Sequence, residues 1–208
     1  MKLDRGEYRY LLNGEPTEVS ESWVRQQQDD GSWRIESERK APGLHLAVSA
    51  RGSGQRVRDF AVTWEASQFG NMAADYRPRD EGLVVTIWQG NRALKLPAIE
   101  AGRLLLSPLM RIFAGPLIAE ILDAGGQARV VVPDIRDPGD SGALLRPLVS
   151  ERSAHLVGEQ NGLREVEYLG DQYGPGTRFW LRDDDLLQRY SWQQDESQLW
   201  EVSLDCAD

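Results

Sequence analysis

The sequence predicts a mainly β protein of the α+β class, with an antiparallel curved sheet or open β-barrel of about 10 to 12 strands and a short helical insert at about residues 98–124. Apolar and polar residues alternate along most of the chain, as they do in strands that bury one face. Pairs such as Asn13 and Gly14, which favour tight turns, separate these alternating runs. The most apolar stretch, residues 104–119, carries the residues that start and end helices.

The residues before position 66 predict about four or five antiparallel strands in meander order. Tyr8, Tyr10 and Leu12 share one face of the first strand, and Phe60 and Trp64 share one face of the last. The stretch 69–82 is rich in turn-forming and charged residues, which favours a long surface loop or a bent edge strand. Residues 83–88 are apolar on both faces, which indicates a central strand covered from both sides.

Within the insert, Ser107 and Pro108 match an N-cap followed by a proline in the first helical turn. Gly115 and Pro116 are expected to end that turn and begin another, and the glycine pair at 125–126 to end the last. The insert is therefore predicted to form two or three short linked helices. Because an apolar helix needs a covering surface, the concave face of the flanking strands is expected to enclose it.

After the insert, a strand at 128–132, a turn-rich loop at 133–142 and a strand near 148–157 lead into a second meander that ends at 200–204. No linker or compositional change divides the chain, so residues 1–208 are expected to form a single domain. A closed calycin-type barrel, with the insert outside its mouth, is the alternative architecture.

Composition disfavours several classes of function. The net charge of −9 and the pI near 4.9 argue against nucleic-acid binding, which requires clustered Lys and Arg. Arg111 and two prolines interrupt the apolar stretch, so it is not expected to form a transmembrane segment, which needs about 20 consecutive apolar residues. The single cysteine, Cys206, cannot form an internal disulfide.

No cofactor and no metal are predicted. His45 and His155 lie on separate predicted strands, without acidic or cysteine residues at ligand spacing beside them. The N-terminal residues lack the apolar core of a signal peptide. This predicts a cytoplasmic protein, or a periplasmic one if Met1 replaces a removed signal peptide.

Two patterns could carry catalysis. Residues 139–142, Gly-Asp-Ser-Gly, resemble the tetrapeptide around the nucleophile of chymotrypsin-like serine proteases, with Ser141 as nucleophile and His45 and Asp75 as its partners. His45 lacks that family's local sequence, and Gly and Asp are typical of turns, so a solvent loop is the favoured interpretation. Glu165 and Glu167 could act as general acid and base. Their alternation with apolar residues favours a charged, solvent-facing strand face instead.

The aromatic residues are the most informative feature, because the seven Trp and six Tyr lie mostly at alternate strand positions. In one interpretation they fill a solid core. In the other, a strongly curved sheet turns them into the wall of a hydrophobic cavity, with residues of the insert as its lid. The wall and lid residues of that cavity would be Tyr10, Trp23, Trp33, Phe60, Trp64, Leu105, Leu109, Met110, Phe113, Tyr168, Phe179, Tyr190 and Trp192.

This succession of antiparallel strands, one apolar helical insert and a closing meander resembles the LolA-like half-barrel fold of the bacterial lipoprotein carrier proteins and the related glycolipid-binding proteins. In that family an incomplete barrel is covered by helices, and acyl chains occupy the space between them. The resemblance implies that residues 104–119 form the lid. If this insert gates the cavity, its hinges are expected at Gly115 and Pro116 and at the 125–126 glycine pair, where the backbone can change direction without breaking strand pairing.

The leading functional prediction is therefore non-catalytic binding of a lipid, glycolipid or other hydrophobic small molecule between the curved sheet and the lid. Two alternatives stay open. One is a hydrolase that uses Ser141 or the Glu165 and Glu167 pair. The other is a structural or protein-interaction module with a filled core.

Overall fold

A computed structural model describes residues 1–68, 70–100, 102 and 104–205, which form fifteen strands, one 3₁₀ turn (Arg111–Phe113) and one α-helix, α1 (Ala114–Asp123). The strands are β1 Lys2–Leu12, β2 Glu15–Gln27, β3 Ser32–Ala41, β4 Leu44–Ser53, β5 Arg56–Ala66, β6 Gly70–Arg79, β7 Gly82–Gln89, β8 Arg92–Lys95, β9 Leu104–Leu106, β10 Gln127–Pro133, β11 Pro147–Gln160, β12 Leu163–Leu169, β13 Arg178–Leu181, β14 Leu187–Asp195 and β15 Gln198–Asp205. Cys206, on which the disulfide prediction rests, lies outside the described residues.

All these strands belong to one sheet, in the order β8-β7-β6-β5-β4-β3-β2-β1-β15-β14-β13-β12-β11-β10-β9. Adjacent strands are antiparallel, apart from β9 and β10, which run parallel. The first and last strands pair at the middle of the sheet, where Tyr10 lies opposite Val202. The predicted antiparallel β fold is confirmed, although it contains more strands than the predicted number of about 10 to 12.

The sheet curls until its two halves face each other. Strand β9, at one edge, contacts β5 in the opposite half, and α1 inside the curve contacts β5, β10, β11 and β14. Among the described residues no backbone ladder joins the edge strands β8 and β9, so the sheet stays open. The predicted curved sheet around a helical insert is therefore confirmed, and the closed-barrel alternative is wrong.

The start of the insert differs from the prediction. Leu104–Leu106 is a strand that lies parallel to β10, and the amide of Ser107 continues this pairing by donating to the carbonyl of Val131 at 2.9 Å. Ser107 therefore does not cap a helix. Three consecutive leucines suit a strand that is buried on both faces, which periodicity alone does not distinguish from a short helix.

Within the described residues, no helix has the length and apolar character needed to cross a membrane.

The end of α1 follows the prediction. Gly125 and Gly126 adopt φ values of 92° and 88°, in the region that favours glycine. The amide of Gly126 donates to the carbonyl of Ile121 at 2.8 Å, and the amide of Gly125 donates to the carbonyl of Leu122 at 3.1 Å. These two bonds form a Schellman motif, which satisfies carbonyl groups left free at the end of the helix.

Two strand predictions require correction. The stretch predicted as a loop or bent edge strand contains the ten-residue strand β6, which pairs on both sides. Strand β7, predicted to be central, lies next to the edge strand β8, although Val84 and Val85 on its opposite faces are both buried. An apolar pattern on both faces reports how a strand is covered and not where it lies in the sheet.

Gly115 is a packing position and not a hinge. It lies in the first turn of α1, where a Cβ atom would overlap the carbonyl oxygen of Asp185 and lie 2.7 Å from the amide nitrogen of Leu187. Only a glycine lets the helix approach this backbone so closely. Pro116 is tolerated in the same turn, because its missing N–H has no intrahelical acceptor there.

We expect Gly115→Ala to lower the free energy of unfolding by about 1–3 kcal/mol, the usual cost of forcing extra atoms into a packed site. Urea denaturation measures this change. The matched control is Gly158→Ala, because an added Cβ there meets no atom within 4 Å. Equal stability of the two variants would show that the contact between α1 and residues 185–187 is not tight.

Candidate ligand-binding cavity

A cavity of about 670 Å³ lies between the concave face of the sheet and the segment 107–117. Its volume is within the range of about 300–1,000 Å³ that is typical of small-molecule sites. Its apolar and aromatic lining residues are Tyr10, Val19, Ala41, Leu109, Met110, Ala114, Leu117, Val132, Pro133, Ile135, Leu148, Tyr168, Tyr173, Phe179, Tyr190, Trp192 and Trp200. Its polar lining residues are Arg39, Ser107, Arg111, Asp134, Arg136, Arg152, Asp171, Gln172 and Gln194.

The structure brings together part of the set of residues predicted to form the cavity. The predicted residues that line it are Tyr10, Leu109, Met110, Tyr168, Phe179, Tyr190 and Trp192. They come from β1, β12, β13 and β14 and from the turn before α1. The cavity therefore lies mainly under the C-terminal strands and extends to β1, β2 and β3.

The other predicted residues, Trp23, Trp33, Phe60, Trp64, Leu105 and Phe113, are buried in the core and do not line this cavity. Two of them cover glycines on neighbouring strands. Trp23 lies opposite Gly6, where a Cβ would be 2.7 Å from the indole, and Trp33 lies opposite Gly52, where a Cβ would overlap the ring. An indole over a cross-strand glycine fills the gap that the glycine leaves, so both tryptophans serve packing.

Contacts between aromatic rings explain the position of two further residues. Phe60 stacks on Tyr76 at 4.4 Å between ring centroids, and Phe113 faces Trp33 at 6.3 Å. The hydroxyl of Tyr76 donates to the carbonyl of Leu145 at 2.6 Å, which ties this cluster to the loop after β10. The part of the predicted wall that Trp23, Trp33, Phe60 and Trp64 were expected to form is therefore filled by these side chains together with β9 and the 3₁₀ turn.

A buried ion pair holds the segment 107–113 against β2 and β3. The side chain of Glu21 is fully buried, and its Oε2 atom accepts hydrogen bonds from Arg39 Nε at 2.9 Å and Nη2 at 2.6 Å and from the Tyr10 hydroxyl at 2.9 Å. Arg39 Nη2 also donates to the carbonyl of Leu109 at 2.9 Å, and the Arg111 amide donates to Glu21 Oε1. Leu109 has a φ of 70°, a strained value for leucine that these hydrogen bonds help to maintain.

Charges and burial determine the protonation states at this end of the cavity. Burial raises the pKa of Tyr10 to about 12 and that of Tyr168 to about 12, and it raises the pKa of Tyr190 well above its ordinary value. Burial acts to lower the pKa of Arg39, but Tyr10 and Glu21 beside it raise that pKa above its ordinary value. The phenols are therefore neutral donors and the guanidinium is charged at neutral pH.

Tyr173 occupies the centre of an aromatic cluster on the cavity wall. Its ring centroid lies 5.6 Å from that of Tyr168, 5.4 Å from that of Phe179 and 6.2 Å from that of Tyr190. The angles between the Tyr173 ring and the Phe179 and Tyr190 rings are 89° and 87°, an edge-to-face arrangement that stabilises aromatic pairs. The cluster forms one wall of the cavity.

The residues predicted from the sequence to line the cavity did not include the charged ones, although the two-residue period of the strands indicates them. Along β3, Trp33, Ile35 and Ser37 are buried, so the two-residue period also places Arg39 on the concave face. The same period places Arg152 beside the buried Ala154 on β11. An arginine at an inward-facing position of a strand indicates a functional or paired charge, because an isolated buried charge is costly.

The contacts of the two predicted catalytic patterns do not form catalytic arrangements. Asp140 Oδ1 accepts hydrogen bonds from the amides of Gly142 and Ala143, as in a turn. His45, on the outer face of β4, contacts Glu65 of β5 and not Ser141. Glu165 and Glu167 both pair with Arg178, at 3.2 Å and 2.7 Å, and that hydrogen bond lowers the pKa of Glu167. A carboxylate held in its ionised form is a poor general acid at neutral pH.

Metal ligands are not grouped in the described part of the chain, where no three His, Cys, Asp or Glu side chains come together as a metal site would require.

Comparisons with known proteins give one structural similarity. No family model matches the chain, and no curated protein matches it significantly. A β-barrel-like protein of the domain of unknown function DUF1849 from Brucella abortus superposes with a TM-score of 0.49 and 12% sequence identity, over 99% of this chain and 98% of that chain. The resemblance to the lipoprotein carrier proteins stays a prediction.

Proposed function

We propose that this protein binds a hydrophobic small molecule, such as a lipid, in the cavity between the curved sheet and the segment 107–117, without catalysing a reaction on it. The observation that supports the proposal is the cavity itself, about 670 Å³ in volume and lined largely by aliphatic and aromatic side chains. Binding of an apolar ligand there is favoured in proportion to the apolar surface that it removes from water.

The segment 107–117 gives the cavity its adaptable side. Leu109, Met110 and Leu117 line the cavity from this segment, and the aromatic cluster around Tyr173 lines it as well. Methionine and leucine side chains change rotamer readily and can pack around chains of different shape. The backbone of the segment is held by Glu21 and Arg39, so we expect side chains, and not a moving lid, to accommodate the ligand.

Two measurements test the proposal. Native mass spectrometry of the purified protein should detect a bound apolar molecule, and titration with a fluorescent fatty acid should show saturable binding at one site. A protein that carries no such molecule and takes up no apolar probe has a filled or water-occupied cavity, and the proposal would be wrong.

A cavity-filling variant localises the binding site. Val132 lines the cavity from β10 opposite Leu148, whereas Val149 lies opposite Val131 on the next strand and points to the other face of the sheet. Both valines are half-buried. We expect Val132→Trp to weaken binding of the fluorescent fatty acid by about tenfold or more, because the indole occupies the ligand's space.

The matched control is Val149→Trp, which introduces the same side chain outside the cavity and should leave binding unchanged. Thermal unfolding of both variants shows whether each is folded at the temperature of the titration. Equal binding by the two folded variants would place the ligand elsewhere on the molecule.

A further inference from the structure

Several hydrogen-bond donors on the cavity wall lack an acceptor among the described residues. They are the Nε atom of Arg111, the Nε and Nη1 atoms of Arg152 and the hydroxyl of Tyr173. The Arg152 side chain is only 5% exposed, and Gly170 leaves the space that its aliphatic part requires, since a Cβ there would be 2.5 Å from Arg152 Cδ. Burying a donor without an acceptor costs free energy, so these groups are suited to a ligand that supplies acceptors.

One aromatic cluster connects these donors. The Arg111 guanidinium carbon lies 4.9 Å from the centroid of the Tyr190 ring, and the Arg152 guanidinium carbon lies 5.8 Å from that of the Tyr168 ring. The Tyr173 ring contacts both of those tyrosine rings. The three donor side chains therefore surround one part of the cavity wall, with Tyr173 between the two arginines.

The charges that line the cavity do not cancel. Arg39 pairs with Glu21, Arg136 pairs with Asp134 and Arg152 pairs with Asp171. Among the described residues, no acidic side chain forms an ion pair with Arg111; Glu21 accepts its backbone amide instead. The cavity therefore has an uncompensated positive charge within a protein whose net charge is −9. In a site partly shielded from water, this charge favours an anion strongly.

We infer that the ligand is an amphiphile whose anionic head group, a carboxylate or a phosphate, accepts hydrogen bonds from Arg111, Arg152 and the Tyr173 hydroxyl, while its apolar tail lies along the segment 107–117. The inference rests on the proposed function and adds the chemical class of the ligand. Both guanidinium groups can donate charge-assisted hydrogen bonds to either oxyanion, and the phenol adds a neutral donor between them.

The test compares ligands that share one tail and differ in the head group. Binding of hexadecanoic acid, hexadecyl phosphate and hexadecanol to the wild-type protein is measured by displacement of a neutral fluorescent apolar probe at neutral pH. We expect at least one of the two anions to bind about 10- to 100-fold more tightly than the alcohol, as charge-assisted hydrogen bonds in a shielded site imply. The tighter of the two anions identifies the oxyanion that the site prefers.

Variants assign the preference to Arg111. We expect Arg111→Gln to bind the preferred anion and the alcohol with similar affinity, and Arg111→Lys, which keeps the charge but not the fork, to retain part of the preference. Arg129→Gln is the matched control, because Arg129 lies outside the cavity with a side chain that is 54% exposed, and it should behave as the wild type. Thermal unfolding confirms that each variant is folded.

The outcomes separate the two proposals. If the wild-type protein binds acid, phosphate and alcohol equally, the anionic head group is wrong, the unpartnered donors are satisfied by water, and the apolar binding function stands. If the probe itself does not bind, the proposed function fails. If the probe binds but none of the three displaces it, the inferred amphiphile is wrong and the apolar binding function stands. A preference for an anion that persists in Arg111→Gln would overturn the role given to Arg111. The wild-type comparison decides the head group even if a variant does not fold.

Discussion

Replacing Glu21 by Ala should lower the free energy of unfolding by about 3–5 kcal/mol, the usual cost of removing one partner of a buried ion pair. Glu21 is fully buried and accepts hydrogen bonds from Arg39, Tyr10 and the backbone of Arg111. Its loss leaves the Arg39 guanidinium, which is 14% exposed, without a counter-charge. It also frees the segment 107–113 from β2, so the cavity should lose its shape as the protein loses stability.

Urea denaturation followed by tryptophan fluorescence measures the change. Glu38→Ala is the matched control, because Glu38 pairs with Lys40 at 3.1 Å on the neighbouring strand β3 but is 48% exposed. Exposed ion pairs contribute about 0–1 kcal/mol, so the control should be nearly as stable as the wild type. Similar stability of the Glu21 and Glu38 variants would contradict the buried network, and Glu21→Gln, which keeps acceptor atoms, should lie between the wild type and Glu21→Ala.

Phe113→Asp should unfold the protein or reduce its stability by more than the roughly 3–5 kcal/mol that truncation of a buried aromatic costs. Phe113 is 3% exposed, packs against Trp33 and does not line the cavity. The substitution removes this packing and places an unpaired carboxylate in the core. This expectation follows from the position of Phe113 in the core, whereas a residue on a mobile, wet lid would tolerate the charge.

The contrasting variant is Leu109→Asp, which introduces the same carboxylate at a half-buried position that lines the cavity. It should stay folded and bind apolar ligands more weakly. Circular dichroism and uptake of a fluorescent fatty acid, measured on both variants, distinguish the two positions. A Phe113→Asp protein that is folded and still takes up the probe would show that this residue belongs neither to the core nor to the lid.

Local patterns in the sequence were sufficient for most of the fold. Alternation along β1 and β5 correctly identified which residues face the interior, because a strand places successive side chains on opposite faces wherever it lies. The glycine pair at 125–126 correctly marked the end of α1, because positive φ is a local requirement. The failures came where local patterns are ambiguous: Leu104–Leu106 is a strand, and Ser107 does not cap a helix.

The sequence by itself determined an antiparallel sheet with aromatic residues on its concave face and one apolar helical insert. The tertiary structure alone decided which of those aromatic residues pack in the core and which line a cavity. Trp33 and Phe113 meet because β9 and the 3₁₀ turn fill the half of the curve near β5, whereas Tyr168 and Tyr190 face open space in the other half. Alternation predicts on which face of the sheet a side chain lies. The curvature of the whole sheet and the position of the insert depend on contacts between residues far apart in the chain. The same contacts bring Arg39, Arg111 and Arg152 to one cavity from three separate segments.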